Sequence, residues 1–317
     1  MHHRTRTSLR DGLSLAILAG SVAGLIALVS SGLPAPRLSG PQADRALAHG
    51  AMPPVTYAIR QAETRNAVAL QAAFNRIGFD LDAVASGYTS VPRVLLAALP
   101  PDLERLDSAE ARKDLFLRTL LPVVLYVNDR IGEDRAALLA LDAKVKTGQA
   151  LTEEDLGLAL RLGDKYDQPD VDLDALLRKV DVIPPSLTLA QAIEESGWGT
   201  SRIAREQNAL FGQFAADSDG AWDYRNFASL TEAVEAYARN LNTHKAYREF
   251  RQVRAQMRNR EGGLDAVGLA ATMHRYSERG DDYVHALRGL IRSNGLDAFD
   301  GSRLNGRSVA TILASAN

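Results

Sequence analysis

The chain has 317 residues, 46% of them apolar and 24% charged, with a formal net charge of −2. That length suits about two domains with a real core, and the charge balance gives no one-signed field to attract nucleic acid. There is no cysteine, which excludes disulfides, cysteine-ligated zinc, iron–sulfur clusters, a cysteine nucleophile and a lipid-modified cysteine anchor, and leaves the chain free to work in an oxidising compartment.

His2, His3, Arg4, Arg6 and Arg10 precede Gly12 to Ser31, a run of about twenty residues without a charge, the length of a bilayer-spanning helix. The basic start places residues 1–11 in the cytoplasm. Residues 12–31 are expected to be a single-pass inner-membrane anchor, with the remainder in the periplasm. A cleaved signal peptide is the alternative, because Ser30, Ser31 and Gly32 are small, and the protein would then be periplasmic or secreted. Pro34, Pro36, Pro41, Pro53 and Pro54 make residues 32–54 an extended linker.

Residues 55–180 read as a helical N-terminal region. Ser108 is an N-cap for a helix reaching Ile131, and Pro122 predicts a kink or two helices within it. Thr152 to Asp155 is a capping-type start, and a further helix is expected over 171–180. In residues 181–297, Pro184-Pro185-Ser186 opens a helix with Ser186 as candidate N-cap. Leu189, Ala192, Ile193 and Ser196 form its inner face, and Gly197 and Gly199 follow. A small hairpin is expected between 214 and 228. Ser229 and Glu232 have capping-box spacing, and helices are expected at 264–274 and 282–292. Arg279-Gly280-Asp281 reads as a helix-entry turn, and residues 298–317 as a C-terminal tail. The fold class is therefore mainly α.

The chemistry concentrates in Leu189 to Phe214, LAQAIEESGWGTSRIAREQNALFGQF. This stretch resembles glycoside hydrolase family 73, the glucosaminidases that cut peptidoglycan, whose helix ends in a pattern like QAxxESGWGxS with an N-x-F-G element after it. Glu195 takes the position of the catalytic acid. Ser196, Gly197, Trp198 and Gly199 fill the signature, and Asn208, Phe211 and Gly212 match the later element. Gln213-Phe214 replaces the usual Ile-Lys, as in the Bax-like subgroup, which residues 240–257 and 276–294 also resemble. The likeness spans roughly residues 110–297.

The resemblance implies a lysozyme-like catalytic domain that cleaves β-1,4 bonds after N-acetylglucosamine in cell-wall glycan strands, with no cofactor. Tyr276 would orient the substrate N-acetyl group or stabilise charge, and Tyr283 would be structural. Trp198, Asn208, Phe211 and Gly212 would line sugar subsites. The family places a second acid in the lobe that here is short, residues 215–227, where Asp217, Asp219 and Asp223 are the candidates.

Physical chemistry supports Glu195 over Glu194. A glycosidic oxygen is a poor leaving group and must be protonated by an acid that still holds its proton near neutral pH. An apolar flank raises a glutamate's pKa, and on a helical wheel Glu195 lies beside Ala192 and Ile193, while Glu194 points toward the polar side. Metal hydrolysis has no support, because there is no H-E-x-x-H and His244, His274 and His285 lack ligand spacing. A lytic transglycosylase, and a non-catalytic peptidoglycan-binding scaffold, are the rival readings.

Overall fold

The computed structural model describes residues 59, 61–216, 222–260, 262–306 and 310–312. The expected anchor at 12–31 and the linker at 32–54 lie outside the described residues, among which no helix is long and apolar enough to cross a membrane.

The first elements are helix α1 (Ala67–Arg76), helix α2 (Leu81–Ala85) and strand β1 (Val94–Leu96). Asn66 caps α1 by accepting from the Ala69 N–H at 2.8 Å, and Asp80 does the same for α2. Helix α3 (Ala109–Lys146) is 38 residues long, about 57 Å at 1.5 Å per residue. Ser108 caps it as expected. It does not divide at Pro122: the helix runs through that residue. From Leu115 to Val127 every side chain but Arg118 and Tyr126 is buried, so packing on all sides outweighs the cost of about 3 kcal/mol that a mid-helix proline carries. Beyond Ile131 the helix leaves the main core. There Leu138 and Leu141 form a satellite cluster with Leu162 and Tyr166, and with Leu176 and Val180. Helices α4 (Glu153–Lys165) and α5 (Leu173–Lys179) carry most of these partners, and α4 starts with the reciprocal Thr152–Asp155 capping box.

Helix α6 (Pro185–Ser196) is buried from Pro185 to Ile193. Its N-cap is Pro184, which offers no side-chain acceptor. Ser186 is not the cap: its N–H and hydroxyl donate to the two carboxylate oxygens of Asp300 at 2.8 and 2.7 Å. An acid from 114 residues away thus neutralises the exposed donors of this helix start. Burial nevertheless pushes the Asp300 carboxyl up to about 6, against the pull of the Ser186 bonds. A raised carboxyl contributes stability below its ordinary value and loses it as pH rises through the folded value. Asp300→Asn removes the charge, so its Tm relative to the parent is expected to climb between about pH 4 and 7; a difference flat with pH would contradict this.

After α6 come the short helix α7 (Arg202–Gln207) and the hairpin of β2 (Phe214–Ala216) and β3 (Trp222–Tyr224), antiparallel, with Phe214 opposite Tyr224. The sequence placed a hairpin there. Helices α8 (Leu230–Thr243), α9 (Arg248–Arg258), α10 (Ala266–Ala270) and α11 (Asp281–Ser293) follow. Strand β4 (Ala310–Ile312) pairs in parallel with β1, with Val94 opposite Ala310. The expected C-terminal tail is therefore tied down where it is described: Val91 N–H donates to Arg303 O at 2.8 Å and Asn305 N–H to Val91 O at 2.9 Å.

No core boundary falls at residue 180. One continuous apolar cluster joins Leu103, Phe116 and Leu120 to Leu187, Ile193 and Leu287. The crossing is fixed by Arg254, fully buried on α9, whose guanidinium donates to the carbonyls of Arg178, Lys179, Asp181 and Val182. Arg258 holds the buried Asp181 carboxylate with two bonds at 2.7 and 3.1 Å. The N-terminal helices and residues 181–306 are thus one folding unit, because neither could bury its apolar face alone.

Candidate active site

The end of α6 is shaped by three consecutive left-handed residues, Gly197, Trp198 and Gly199, at φ 59°, 60° and 72°. Gly197 is the helix C-cap, where glycine avoids the steric cost of that conformation. The Ser196 hydroxyl accepts from Gly199 N–H at 2.9 Å, which fixes the turn. A Cβ on Gly199 would sit 2.6 Å from Leu99 and 2.8 Å from Phe116. That glycine therefore serves close packing against the preceding region and leaves no space there for a sugar. Trp198 packs edge-on to Phe116, with ring centroids 6.0 Å apart, and Lys113 Nζ lies 5.4 Å from its ring centre.

Glu195 is half-buried on the last turn of α6. Its carboxyl faces Gly212, where an added Cβ would stand 2.8 Å from Oε2. Burial raises its pKa, Glu194 raises it further, and a hydrogen bond from Tyr283 and the charge of Arg279 pull it back. The net shift is upward, the direction a proton donor needs. Glu194 differs because it forms an ion pair with Arg279. The flank that desolvates Glu195 is a set of tyrosines, Tyr247, Tyr276 and Tyr283, each of which feels its charge.

The two later tyrosines lie together beside the acid. The Tyr276 hydroxyl donates to the Phe211 carbonyl at 2.9 Å, and its ring stacks on Tyr283 at 5.6 Å and 4°. Tyr283 is the tyrosine whose hydroxyl acts to lower the Glu195 pKa. It is held in place by a hydrogen-bonded chain. Tyr237 donates to Gln191 Oε1 at 2.7 Å, so the amide Nε2 faces Tyr283 and donates to its oxygen at 3.1 Å. With that oxygen already accepting, the Tyr283 O–H is left free to donate elsewhere. From the sequence Tyr237 is expected only as part of a buried helix stripe, and Gln191 is assigned no task of its own, although it precedes Glu195 by one helical turn and shares its face.

The remaining candidates are placed as follows. Asn208 holds the left-handed residue after α7 (φ 54°), and its side-chain amide donates to Phe227 O at 3.0 Å, fastening the base of the hairpin. Phe211 is 1% exposed and stacked on Tyr237 at 4.2 Å, so its ring has no free face for a sugar. Both are corrections of the expected sugar-lining positions, and both arise because the N-x-F-G element is a turn feeding the core. Asp223 is exposed in β3 and accepts from the Tyr224 N–H at 2.7 Å. It is not among the groups that act on Glu195. Asp217 and Asp219 lie outside the described residues. The Arg279–Asp281 turn enters α11 with Gly280 as its cap, at φ 55° and without a side-chain bond.

Residues 172–296 match the family model described as mannosyl-glycoprotein endo-beta-N-acetylglucosaminidase. The chain is also 34% identical over 202 residues to protein bax of Escherichia coli K12, covering 61% of this chain and 74% of that protein. It belongs to the glucosaminidase family. A solved structure, the catalytic domain of the autolysin Auto from Listeria monocytogenes, is 22% identical and spans 45% of this chain and 81% of that one, with a TM-score of 0.28. The glucosaminidase match starts at residue 172, yet the packing of this glycoside-hydrolase domain extends well before it: Gly199 touches Leu99 and Phe116, and Ala97 O accepts from Leu230 N–H at 2.9 Å.

Proposed function

We propose that this glucosaminidase hydrolyses the β-1,4 bonds after N-acetylglucosamine in peptidoglycan glycan strands, with Glu195 as the proton donor. The observation that carries the reading is the setting of one carboxyl group. Glu195 stands at a helix end, is half-buried among tyrosines, and rests against a glycine that leaves it room. Desolvation keeps the proton on until the bridging oxygen takes it. The nearby Tyr283 hydroxyl, which lowers the Glu195 pKa, favours the carboxylate that remains after transfer. Family membership supports a glycoside hydrolase of this class.

In this reading the 12–31 segment tethers the enzyme to the inner membrane and the folded part works in the periplasm. The second acid would come from the lobe, at Asp217, Asp219 or Asp223. A lytic transglycosylase is the second reading. Its supporting observation is that, among the described residues, Glu194 is the one other carboxylate that acts on Glu195, and it is held by Arg279. Mass spectrometry of products from isolated sacculi separates the two. Hydrolysis predicts free reducing ends, one water heavier than the anhydro-sugar ends of internal ring closure. Anhydro products alone would replace the hydrolase reading, and release of no product would leave only a binding module.

A further inference from the structure

A cavity of about 770 Å³ lies beside the candidate active site, lined among others by Arg130 and Ile131 of α3, Tyr166 after α4, Gln213 and Phe214 of the hairpin, and Asn242 of α8. Its size is that of a small-ligand pocket, about 300–1,000 Å³. Arg130, Ile131 and Tyr166 all precede residue 172, where the family match begins. The near wall is continuous with the site: Gly212, against the Glu195 carboxyl, is followed directly by Gln213 and Phe214. Asn240, also on the wall, acts on Tyr247, which in turn is acted on by the Glu195 charge.

Three features of the lining define its ligand. Phe214 lines the cavity, and Tyr224, next to the lining, packs its ring against it with centroids 4.4 Å apart; the two are 53% and 37% exposed. Gln213 and Asn242 each carry a buried side-chain oxygen with no hydrogen-bond partner among the described residues, which favours a ligand that brings O–H or N–H donors. The wall carries charges of both signs, with Arg239 paired to Asp167 at 2.8 Å, Arg225 to Glu232 at 3.9 Å, and Glu235 acting on Arg130, which disfavours a strongly charged ligand. Exposed aromatic faces, neutral polar groups and balanced charge describe a pyranose site.

We propose that this cavity is a further sugar-binding pocket, walled on one side by the region before the family domain, which seats an N-acetylated ring of the glycan strand on Phe214 and Tyr224, away from the ring that is cleaved. The proposal rests on the glycan-hydrolase reading. It gives the N-terminal helices a task beyond bracing: they lengthen the groove, so the enzyme favours long strands over short ones.

The test uses the full chain carrying Glu195→Gln, titrated calorimetrically with peptide-free strands of alternating N-acetylglucosamine and N-acetylmuramic acid, two or eight rings long. Adding Phe214→Ala is expected to weaken binding of the eight-ring strand about five- to tenfold, the scale of one aromatic contact. Arg130→Ala is expected to weaken it in the same direction, and Phe214→Trp to restore it. Tyr88→Ala, 89% exposed and absent from the lining, serves as control. Eight-ring affinity unchanged in both alanine variants would overturn the proposal, as would equal loss for two-ring strands. Those results leave the glycan-hydrolase reading standing as long as the parent still digests sacculi. A parent inert on sacculi, with no binding of either strand, would remove the reading itself.

Discussion

Glu195→Gln is expected to lower kcat/KM on isolated sacculi by about 10²- to 10⁴-fold, the span that a positioned general acid supplies. The amide keeps the shape of the side chain, but it has no acidic proton to give. The loss should fall on kcat, because strand binding does not use that proton. The same variant tests whether burial of the carboxyl is held at a cost in stability. Desolvation and Glu194 disfavour the charged form. The carboxyl therefore stabilises the fold below a glutamate's ordinary range, and this contribution is lost as pH rises through the elevated one. The glutamine variant carries no such penalty, so its Tm should rise relative to the parent with increasing pH. Differential scanning at several pH values reads this directly. Lower activity with a lower Tm at every pH would instead indicate damage to the fold.

Gly212→Ala is expected to have the next largest effect, about 10²-fold on kcat/KM, with no charged or polar group removed. Gly212 has φ 60°, a conformation that costs a residue with a Cβ about 1–2 kcal/mol. The new methyl would also stand 2.8 Å from Glu195 Oε2, inside van der Waals contact. Either the carboxyl or the turn must then move, and displacement of a reacting group by about 1 Å costs on the order of 10²-fold. Kinetics with a denaturant titration separates the two parts: a stability loss of about 1–2 kcal/mol leaves the protein folded, so a larger loss of rate belongs to the carboxyl. Near-parental kcat/KM would show that Gly212 does not confine Glu195.

Local signals in the sequence were sufficient where one side chain meets its own neighbours. Ser108, Thr152 with Asp155, and Ser229 cap helices as their spacing indicates, because a cap bond spans only two or three residues. Helical geometry likewise distinguishes the two acids: Glu195 is half-buried with a raised pKa, and Glu194 is ion-paired to Arg279. Relations set by tertiary packing were not legible. Ser186 looks like a cap until Asp300 is seen to reach it. Pro122 looks like a break until the burial around it is known. Strand β1 is three residues long, and its partner β4 is 216 positions away, so no periodicity could announce it. Within the site, the family-like element did not disclose the packing tasks of its residues: Phe211 is spent on the core, Asn208 on a turn, and Gln191 on a bond to the Tyr283 oxygen. Those tasks depend on which way each hydrogen bond points, and that is decided only when four elements meet.

The most direct measurement is the titration of the Glu195 carboxyl itself, followed by NMR in protein labelled with ¹³C at the glutamate side-chain carboxyl, the resonance being identified by its absence in Glu195→Gln. The midpoint is expected above the ordinary glutamate range, and it should move higher still in Tyr283→Phe, which removes the hydroxyl that favours the anion. A midpoint at or below the ordinary range, or one indifferent to Tyr283, would contradict the account.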